Sequence, residues 1–212
     1  MTTPVYIVGA GGFGREVFGI LLELTRIGVM SGVAGFFDDA PSSENIARVH
    51  ALDSEVLGTV SDVARIRDPF AAVIAIGSPM ARRSIARRLE KAPVTYPSIV
   101  HPSATLGMCV ALAEGVVIAA GARLSTNITI GRHVHVDQNA TIGHDAVIGD
   151  YSRLNPLACV SGAVVIGSGA LIGASATILQ ELEVGHDAVV GAGAVVTRPV
   201  AASAVVMGVP AR

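Results

Sequence analysis

The sequence predicts an α/β domain followed by a parallel β-helix built from six-residue repeats. From Val100 to Val196, every sixth position holds Val, Leu or Ile without interruption. Helices repeat an apolar face every three or four residues and strands every second residue, so a period of six indicates a solenoid. Before the repeat, a glycine-rich segment joins an apolar run to a helical pattern, which is typical of a Rossmann-like domain.

The small residues of the repeat fit a triangular coil of about eighteen residues, in which three hexads form three flat sides. The aliphatic residue points inward, and a second inward position four residues later is small. That position is occupied by Ala104, Ala122, Ala140, Ala146, Ala158, Ala170, Ala176, Ala188 and Ala194. Glycine directly follows the aliphatic residue at Gly107, Gly131, Gly143, Gly149, Gly167, Gly173, Gly185 and Gly191. We expect these glycines to turn the corners, because they lack a Cβ.

Three segments are predicted along the chain. Residues 1–97 form the Rossmann-like domain, residues 98–197 form the β-helix, and residues 198–212 form a C-terminal tail without the repeat. In the first segment, apolar runs and helical spacing predict strands at 4–9, 33–37 and 71–77 and helices at 13–26, about 61–67 and 79–89. Residues 40–54 are predicted to be irregular, and the sheet to have about four strands.

The turn after the first strand carries a possible phosphate site. Gly9, Gly11, Gly12 and Gly14 match the spacing G-x-G-x-x-G between a strand and a helix, where backbone N–H groups and the helix dipole can hold a phosphate. The second strand ends in Asp38 and Asp39, either of which could accept hydrogen bonds from a ribose or a base. The alternative is a tight turn that serves packing only.

Composition excludes several classes of protein. The formal net charge of −2 and the absence of Trp argue against a nucleic-acid partner. No apolar run predicts a membrane span or a signal peptide, which favours a cytoplasmic protein. The two cysteines, Cys109 and Cys159, lack Cys-x-x-Cys spacing and are interpreted as reduced apolar side chains.

His144 is the residue of the repeat that best fits a general base. It follows an inward residue by two positions, on an outward-facing surface, and Gly162 lies eighteen residues later at the same place in the next coil. A thioester could approach there, with the Gly162 N–H stabilising an oxyanion. Asp145 could orient the imidazole, although neighbours on a strand face opposite ways. The alternative is a solvated histidine without a function.

A zinc site is the competing interpretation of the histidines. His133, His135 and His144 lie close in sequence, and a β-helix with a His-ligated zinc is the architecture of the γ-class carbonic anhydrases. Their ligand spacing differs from the separations of two and nine found here, so the resemblance to them is one of fold only. The separation of nine positions from His135 to His144 is half a coil, which places the two side chains on different sides of the triangle. A zinc site within one chain is therefore not expected, although a trimer interface could bring in a ligand from a neighbouring copy. His50 and His101 are interpreted as surface histidines in a loop and in the connection between domains.

The motifs together resemble the hexapeptide-repeat sugar O- and N-acyltransferases, typified by sialic acid O-acetyltransferases and UDP-4-amino-sugar N-acetyltransferases. The resemblance extends over nearly all of the chain. It rests on YIVGAGGFGREV, FFDD, AIGSPMARR, YPSIVHPSA, NATIGHDAVIGDY, VVGAGAVVTRPV and GVPAR. It implies that the β-helix is left-handed, since periodicity alone leaves the handedness open.

The resemblance also implies the reaction, the co-substrate and the assembly. Acetyl-CoA would be the acyl donor, no metal would be needed, and the active sites would lie at the subunit interfaces of a homotrimer. His144 would be the general base and Asp145 its helper. The further implied positions are Gly162, Ala174 and Ala192 for acetyl-CoA, and Gly9, Gly11, Gly12, Gly14, Asp38, Asp39 and Gly77 for the nucleotide sugar.

Two departures from the family pattern concern the acceptor. Asp137 and Gln138 stand where members carry Asn and His, and Arg153 stands where some 4-amino-sugar enzymes carry a second histidine. The expected reaction is acetylation of an amino group on a nucleotide-linked sugar of the UDP-4-amino-4,6-dideoxy type, by direct transfer in a ternary complex. The alternatives are O-acetylation of sialic acid or another sugar, a zinc enzyme of the γ-carbonic-anhydrase type, and a non-catalytic nucleotide-binding scaffold.

Overall fold

The N-terminal unit is a parallel sheet flanked by helices. The structure, a computed structural model, describes residues 3–212, so the first two residues of the predicted domain lie outside the described range. The strands are β1 (Val5–Val8), β2 (Val33–Phe37), β3 (Val56–Gly58), β4 (Phe70–Ile74) and β5 (Val94–Thr95), and the helices are α1 (Gly12–Arg26), α2 (Ser43–His50), α3 (Val60–Val63) and α4 (Pro79–Arg88). The order β3-β2-β1-β4-β5 reverses between β1 and β4, as in Rossmann-like folds.

Three elements of this unit differ from the prediction. The sheet has five strands rather than about four. Strands β3 and β5 are short and partly exposed, so neither has an apolar run that would predict it. Helix α2 occupies the stretch predicted to be irregular, and His50 is its last residue rather than part of a loop. Only Val49 of α2 is buried, so the helix has no apolar stripe to reveal it. Its signal was the cap, where the Ser42 side chain accepts a hydrogen bond from the Asn45 N–H.

Residues from Ser98 onward form a second compact unit, a triangular parallel β-helix. Its two-residue strands are β6 (Ile99–Val100), β7 (Thr105–Leu106), β8 (Ala111–Leu112), β9 (Val117–Ile118), β10 (Arg123–Leu124), β11 (Thr129–Ile130), β12 (His135–Val136), β13 (Thr141–Ile142), β14 (Val147–Ile148), β15 (Arg153–Leu154), β16 (Cys159–Val160), β17 (Val165–Ile166), β18 (Leu171–Ile172), β19 (Thr177–Ile178), β20 (Glu183–Val184), β21 (Val189–Val190), β22 (Val195–Val196) and β23 (Val205–Val206). From β6 to β22, every third strand belongs to the same sheet, and β23 joins the sheet of β21. The predicted fold class is confirmed.

The three sheets stack the inward residues in register. Sheet 1 runs β22-β19-β16-β13-β10-β7, sheet 2 runs β20-β17-β14-β11-β8, and sheet 3 runs β23-β21-β18-β15-β12-β9-β6. In sheet 1, Ile142 pairs with Leu124 below and Val160 above. These side chains are 2%, 3% and 1% exposed, and the column of such residues forms the apolar core that stabilises the solenoid.

The repeat glycines serve close packing rather than the turn itself. None of the glycines that follow an inward aliphatic residue has a positive φ within the described residues. A Cβ on Gly143 would instead lie 2.5 Å from the Gly162 nitrogen of the next coil. The left-handed backbone falls two residues later, as at Asp145 with φ 60°. Glycine is therefore required by the spacing of the coils, not by the backbone torsion angles.

Each corner of the triangle stacks one residue per coil, and backbone hydrogen bonds connect successive coils there. The corner between sheets 1 and 2, here the first corner, stacks Thr126, His144, Gly162 and Gln180. The second corner, between sheets 2 and 3, stacks Glu114, Arg132, Asp150, Ser168 and His186. The third corner, between sheets 3 and 1, stacks Gln138, Pro156, Ala174 and Ala192.

The residues predicted as a tail continue the stack. Val200 bridges to Val184, and β23 pairs in parallel with β21. Ala211, 5% exposed, packs into the core of the β-helix. The segment covers the upper end of the apolar column, which would otherwise be exposed to water.

Candidate active site

His144 and Asp145 form a hydrogen-bonded pair on the first corner. The His144 Nδ1 atom lies 2.6 Å from Asp145 Oδ2, and the two side chains are 62% and 52% exposed. Adjacent residues can meet in this way because Asp145 has a left-handed backbone, with φ 60°, and does not lie on a strand. Neighbouring side chains on a strand would face opposite ways, but this does not apply to His144 and Asp145.

Gly162 lies directly above the imidazole of His144. A Cβ at Gly162 would be 2.6 Å from Nε2 and 2.7 Å from Cε1 of His144. The space predicted above the histidine is therefore occupied by the ring itself. The Gly162 carbonyl accepts a hydrogen bond from the Glu181 N–H, whereas its own N–H has no hydrogen-bond acceptor within residues 3–212.

Asn127 holds Asp145 from the coil below. Its Nδ2 atom donates to Asp145 Oδ1 at 3.2 Å. Hydrogen bonds from His144 and, secondly, from Asn127 lower the pKa of the Asp145 carboxyl below its usual value, because they stabilise the charged form. Asn127 was not singled out in the sequence, although its place eighteen residues before Asp145 could have revealed it.

A second copy of the same heptapeptide lies on the second corner. Gly143–Gly149 reads GHDAVIG and Gly185–Gly191 reads GHDAVVG. In the second copy, His186 Nδ1 lies 3.4 Å from Asp187 Oδ2. Ala202 occupies the place in the coil above, since a Cβ on Gly185 would meet the Ala202 nitrogen. The second pair therefore has no glycine above its imidazole.

The predicted acetyl-CoA positions are divided between two corners of one chain. Gly162 lies on the first corner with His144, while Ala174 and Ala192 lie on the third. Sheet 1 separates the two corners. A single chain therefore does not bring all of these residues together.

The two departures from the family pattern meet in one ion pair, between Asp137 at the start of the third corner and Arg153 of β15 on the adjoining sheet 3. Asp137 Oδ2 accepts hydrogen bonds from Arg153 Nε at 2.9 Å and from Nη2 at 2.8 Å. The Asp137 side chain is 1% exposed and that of Arg153 is 16% exposed. Gln138 follows on the same corner.

The other solenoid histidines are separated from His144. His133 and His135 are fully buried, and the ring of His133 stacks on Tyr151 with centroids 5.3 Å apart. His133 lies at the second corner and His135 on sheet 3, whereas His144 lies at the first corner. Residues 3–212 contain no cluster of three or more His, Cys, Asp or Glu side chains placed to hold a metal ion.

The glycine loop of the N-terminal unit lies at the switch point of the sheet. Gly9 has φ 116°, and a Cβ there would be 2.7 Å from the Ala75 carbonyl oxygen after β4. A Cβ on Gly14 would overlap the Gly9 carbonyl, so this glycine is required by packing. Gly11 faces open space, and Gly12 has only the end of Arg15 nearby. The loop thus combines two packing glycines with two that leave its outer surface bare.

The start of α1 lacks the cap that the other helices have. Its N-cap, Gly11, offers no side chain to the first turn. Ser42, Thr59 and Ser78 each accept a backbone N–H at the starts of α2, α3 and α4. Bare N–H groups at a helix N-terminus favour an anion.

Asp38 and Asp39 serve different parts of the N-terminal unit. Asp38 Oδ2 accepts the Ala10 N–H at 2.8 Å and thereby connects the end of β2 to the glycine loop. Asp39 accepts the Val60 N–H at 3.0 Å and pairs with Arg88 of α4. The Arg88 hydrogen bond lowers the pKa of the Asp39 carboxyl. Of the two, Asp38 is the one in contact with the glycine loop.

Gly77 lies just beyond the end of β4, and β4 is the neighbour of β1, which the glycine loop follows. Its carbonyl and that of Ile76 face Nη1 of Arg82, at 3.5 Å and 2.5 Å. Arg82 is fully buried. Gly77 is therefore held by its backbone, and Gly9 reaches the same strand end through Ala75.

Known families match parts of both units, and a known structure matches the whole chain. The PglD N-terminal domain family matches residues 4–89, and the bacterial transferase hexapeptide family matches residues 163–198. WeeI from Acinetobacter baumannii AYE is 31% identical, with a TM-score of 0.87, and the alignment covers 100% of this chain and 99% of WeeI. Comparison with curated proteins gave no significant match.

Two further similar structures are complexes with ligands. Perosamine N-acetyltransferase from Caulobacter crescentus, crystallised with CoA and GDP-perosamine as a variant lacking one histidine, is 27% identical with a TM-score of 0.86, covering 99% of this chain and 95% of that one. The acetyltransferase domain of PglB from Neisseria gonorrhoeae FA1090, in complex with acetyl coenzyme A, is 25% identical with a TM-score of 0.85, covering 100% and 99%.

The fold and these similarities define an acyltransferase with a left-handed β-helix. The chain belongs to the hexapeptide-repeat sugar acyltransferases of the PglD type. The predicted family and enzyme class are confirmed. In the part of the chain that the structure describes, no helix has the length and apolar character needed to cross a membrane.

Proposed function

We propose that this protein transfers an acetyl group from acetyl-CoA to the amino group of a nucleotide-linked 4-amino-4,6-dideoxy sugar. The observation that carries the proposal is the His144 imidazole, with Nδ1 hydrogen-bonded to Asp145 and Nε2 beside Gly162. The similar structures that hold CoA with GDP-perosamine, and acetyl coenzyme A, support the choice of substrates.

His144 acts as the general base. The Nδ1–H group donates a hydrogen bond to the Asp145 carboxylate, which leaves the Nε2 lone pair free to accept a proton from the sugar amine. The amine nitrogen attacks the thioester carbonyl carbon, and the resulting tetrahedral intermediate expels the CoA thiolate. The imidazolium returns the proton to that thiolate, so the products are the N-acetyl sugar and CoA thiol.

Gly162 contributes to the same step in two ways. Its N–H is the donor available to the developing oxyanion, and its lack of a side chain admits the imidazole ring. Donors fixed in advance stabilise such charge without reorganising. Asn127 supports the arrangement by fixing Asp145.

A second copy of the chain completes the acetyl-CoA site. Ala174 and Ala192 lie on the third corner, and His144 with Gly162 lies on the first. A cyclic assembly can pair the first corner of each copy with the third corner of its neighbour. The expected assembly is a homotrimer, and a monomer by light scattering would contradict this site.

The nucleotide part of the acceptor binds at the glycine loop. The uncapped start of α1 at Gly11 receives the diphosphate, with Gly12 leaving room for its approach. Asp38, which holds the Ala10 N–H of the loop, accepts hydrogen bonds from the ribose or base. Asp39 has a supporting role at the start of α3, where it holds the Val60 N–H, and Gly77 lies just beyond the end of β4. The family resemblance favours uridine, whereas the similar perosamine enzyme was crystallised with a guanosine nucleotide.

The test is a thiol-release assay with acetyl-CoA and a panel of acceptors. The panel contains UDP-, GDP- and dTDP-linked 4-amino sugars together with sialic acid. Thiol release with a nucleotide amino sugar, lost in His144→Ala and retained in His186→Ala, is the expected result. Release with sialic acid alone would replace N-acetylation by O-acetylation. Release with no sugar in the panel would refute the proposed function.

A further inference from the structure

The Asp137–Arg153 ion pair is built differently from the exposed ion pairs of the solenoid. Its side chains are 1% and 16% exposed, whereas Glu114 and Arg132 pair at the second corner with 45% and 51% exposure. Burying two charges costs free energy that their attraction must offset. The pair is therefore a fixed feature of the third corner, with the guanidinium held through both Nε and Nη2.

The pair lies at the level of His144 along the solenoid. Val136 and Ile142 are consecutive inward residues of one coil, so Asp137 and His144 follow adjacent strands of that coil. On the third corner, Gln138, Pro156, Ala174 and Ala192 occupy successive coils. The carbonyls of Gln138, Pro156 and Ala174 each accept a hydrogen bond from a backbone N–H of the next coil. Acetyl-CoA that passes Ala192 and Ala174 toward the level of His144 would therefore reach the corner formed by Asp137 and Gln138.

We infer that the Asp137–Arg153 pair is an acceptor-specificity element that selects sugars without a carboxylate. This inference rests on the proposed function, in which the third corner of one copy faces His144 of another. A lone arginine there would attract an anionic sugar. Because Asp137 neutralises Arg153, the pair gives the corner no net charge, and the negative charge of the buried Asp137 would repel a sugar carboxylate near the corner.

The pair thus distinguishes the two acceptor classes that the family contains. Sialic acid carries a carboxylate, whereas a 4-amino-4,6-dideoxy sugar does not. Specificity requires a cost for the wrong substrate as well as contacts for the right one. Because Asp137 neutralises its charge, Arg153 does not attract the carboxylate of a carboxylated acceptor.

The experiment compares two acceptors that differ in one group. For each variant, KM is measured for a nucleotide-linked 4-amino sugar, and Ki is measured for the analogue with a carboxylate at the sugar C6 position. Their ratio, Ki over KM, reports discrimination against the carboxylate. Asp137→Asn leaves a net positive corner, Arg153→Gln leaves a net negative one, and the double variant is neutral again. Glu114→Gln breaks the exposed pair at the second corner and is the matched control.

The ratio is expected to follow the net charge of the corner. Asp137→Asn should lower it about tenfold and Arg153→Gln should raise it, while the double variant and Glu114→Gln stay near wild type. Damage to the fold would weaken the binding of both acceptors in both single variants. A ratio that falls in one single variant and rises in the other is therefore a result that a structural role cannot produce. Light scattering verifies assembly.

Two outcomes are distinguishable. If the wild type acetylates no amino sugar, the proposed function fails and this inference with it. If the wild type is active and the ratio changes by less than about twofold in both single variants, this inference alone is overturned. Should either single variant fail to assemble, Gln138→Lys and Gln138→Glu change the charge of the same corner without breaking the pair. Those variants are expected to lower and raise the ratio, and an unchanged ratio would likewise overturn the inference.

Discussion

The two heptapeptides around His144 and His186 are nearly identical in sequence and differ in what surrounds them. Their histidine side chains are 62% and 65% exposed, so exposure does not distinguish them. The His–Asp distance is 2.6 Å in the first copy and 3.4 Å in the second. The neighbouring coils differ, because His144 has Gly162 above it and His186 has Ala202.

The coils below the two pairs differ as well. Asp145 is held by the Asn127 side chain, whereas the residue below Asp187 is Gly169. Gly169 has no side chain, so it cannot hold Asp187 as the Asn127 side chain holds Asp145. In a solenoid, a site is assembled from residues one coil apart, so the same seven residues can form a site at one corner and an ordinary surface at another.

The largest expected effect is the loss of turnover in His144→Ala. Removing a general base typically costs about 10²- to 10⁴-fold, and we expect a loss of that order in kcat with the assembly intact. His186→Ala removes the same side chain from the same heptapeptide and should retain wild-type kcat. Equal losses in both variants, measured by thiol release, would show that the sequence motif matters rather than its surroundings.

The fold was predictable because its signals are periodic. The aliphatic column from Val100 to Val196 and the glycines beside it predict the coils, and the structure pairs these residues in the expected register. Strands as short as β5 and a helix such as α2, with one buried residue, have no periodic signal. Their positions depend on tertiary packing and on single caps.

The site was predictable only in part, for a related reason. An offset of eighteen residues connects His144 to Gly162 and also Asp145 to Asn127, so the vertical neighbours could be found by counting. The Asp137–Arg153 pair spans sixteen residues and depends on the reach of a long side chain. The contact between His144 and Asp145 depends on a left-handed torsion angle that no residue type guarantees.

The next effect concerns the residue above each histidine. In Gly162→Ala, the new Cβ would lie 2.6 Å from His144 Nε2, so the imidazole must move away from its position. Small displacements of a catalytic group can cost on the order of 10² in rate, and we expect a loss of that size in kcat. The exposed ring can turn toward solvent, so the fold should be retained.

The reciprocal change tests the other copy. Ala202→Gly gives His186 a glycine above its ring, and we expect no recovery of turnover when it is combined with His144→Ala. Recovery in that double variant would mean that the glycine alone converts a His–Asp pair into an active site. Single-turnover release of thiol is sensitive enough to decide this.

A smaller effect is expected for the aspartates. Asp145→Asn removes the carboxylate that orients Nδ1, and we expect kcat to fall about tenfold, while Asp187→Asn has no effect. The hydrogen bonds from His144 and Asn127 lower the pKa of Asp145. Its stabilising contribution is therefore complete above the unfolded value of about 3.9 and is lost only as the pH falls through the lower folded value.

The pH dependence of the stability that Asp145 contributes can be measured directly. Unfolding of the wild type and of Asp145→Asn is compared across the acidic range, and the difference in stability should shrink only below about pH 4. A difference that changes between pH 5 and 8 would place the titrating group elsewhere. Within the range of activity assays, Asp145 is expected to remain a carboxylate.

The smallest effect is expected for the support under Asp145. Asn127→Gly removes the hydrogen bond to Asp145 Oδ1, and glycine tolerates the φ of 55° at this position without strain. We expect kcat to fall about threefold, as for the loss of one ordinary hydrogen bond. The effect should vanish in the Asp145→Asn background, because Asn127 acts only through that carboxylate. A loss that persists in the double variant would assign Asn127 a separate role at the first corner.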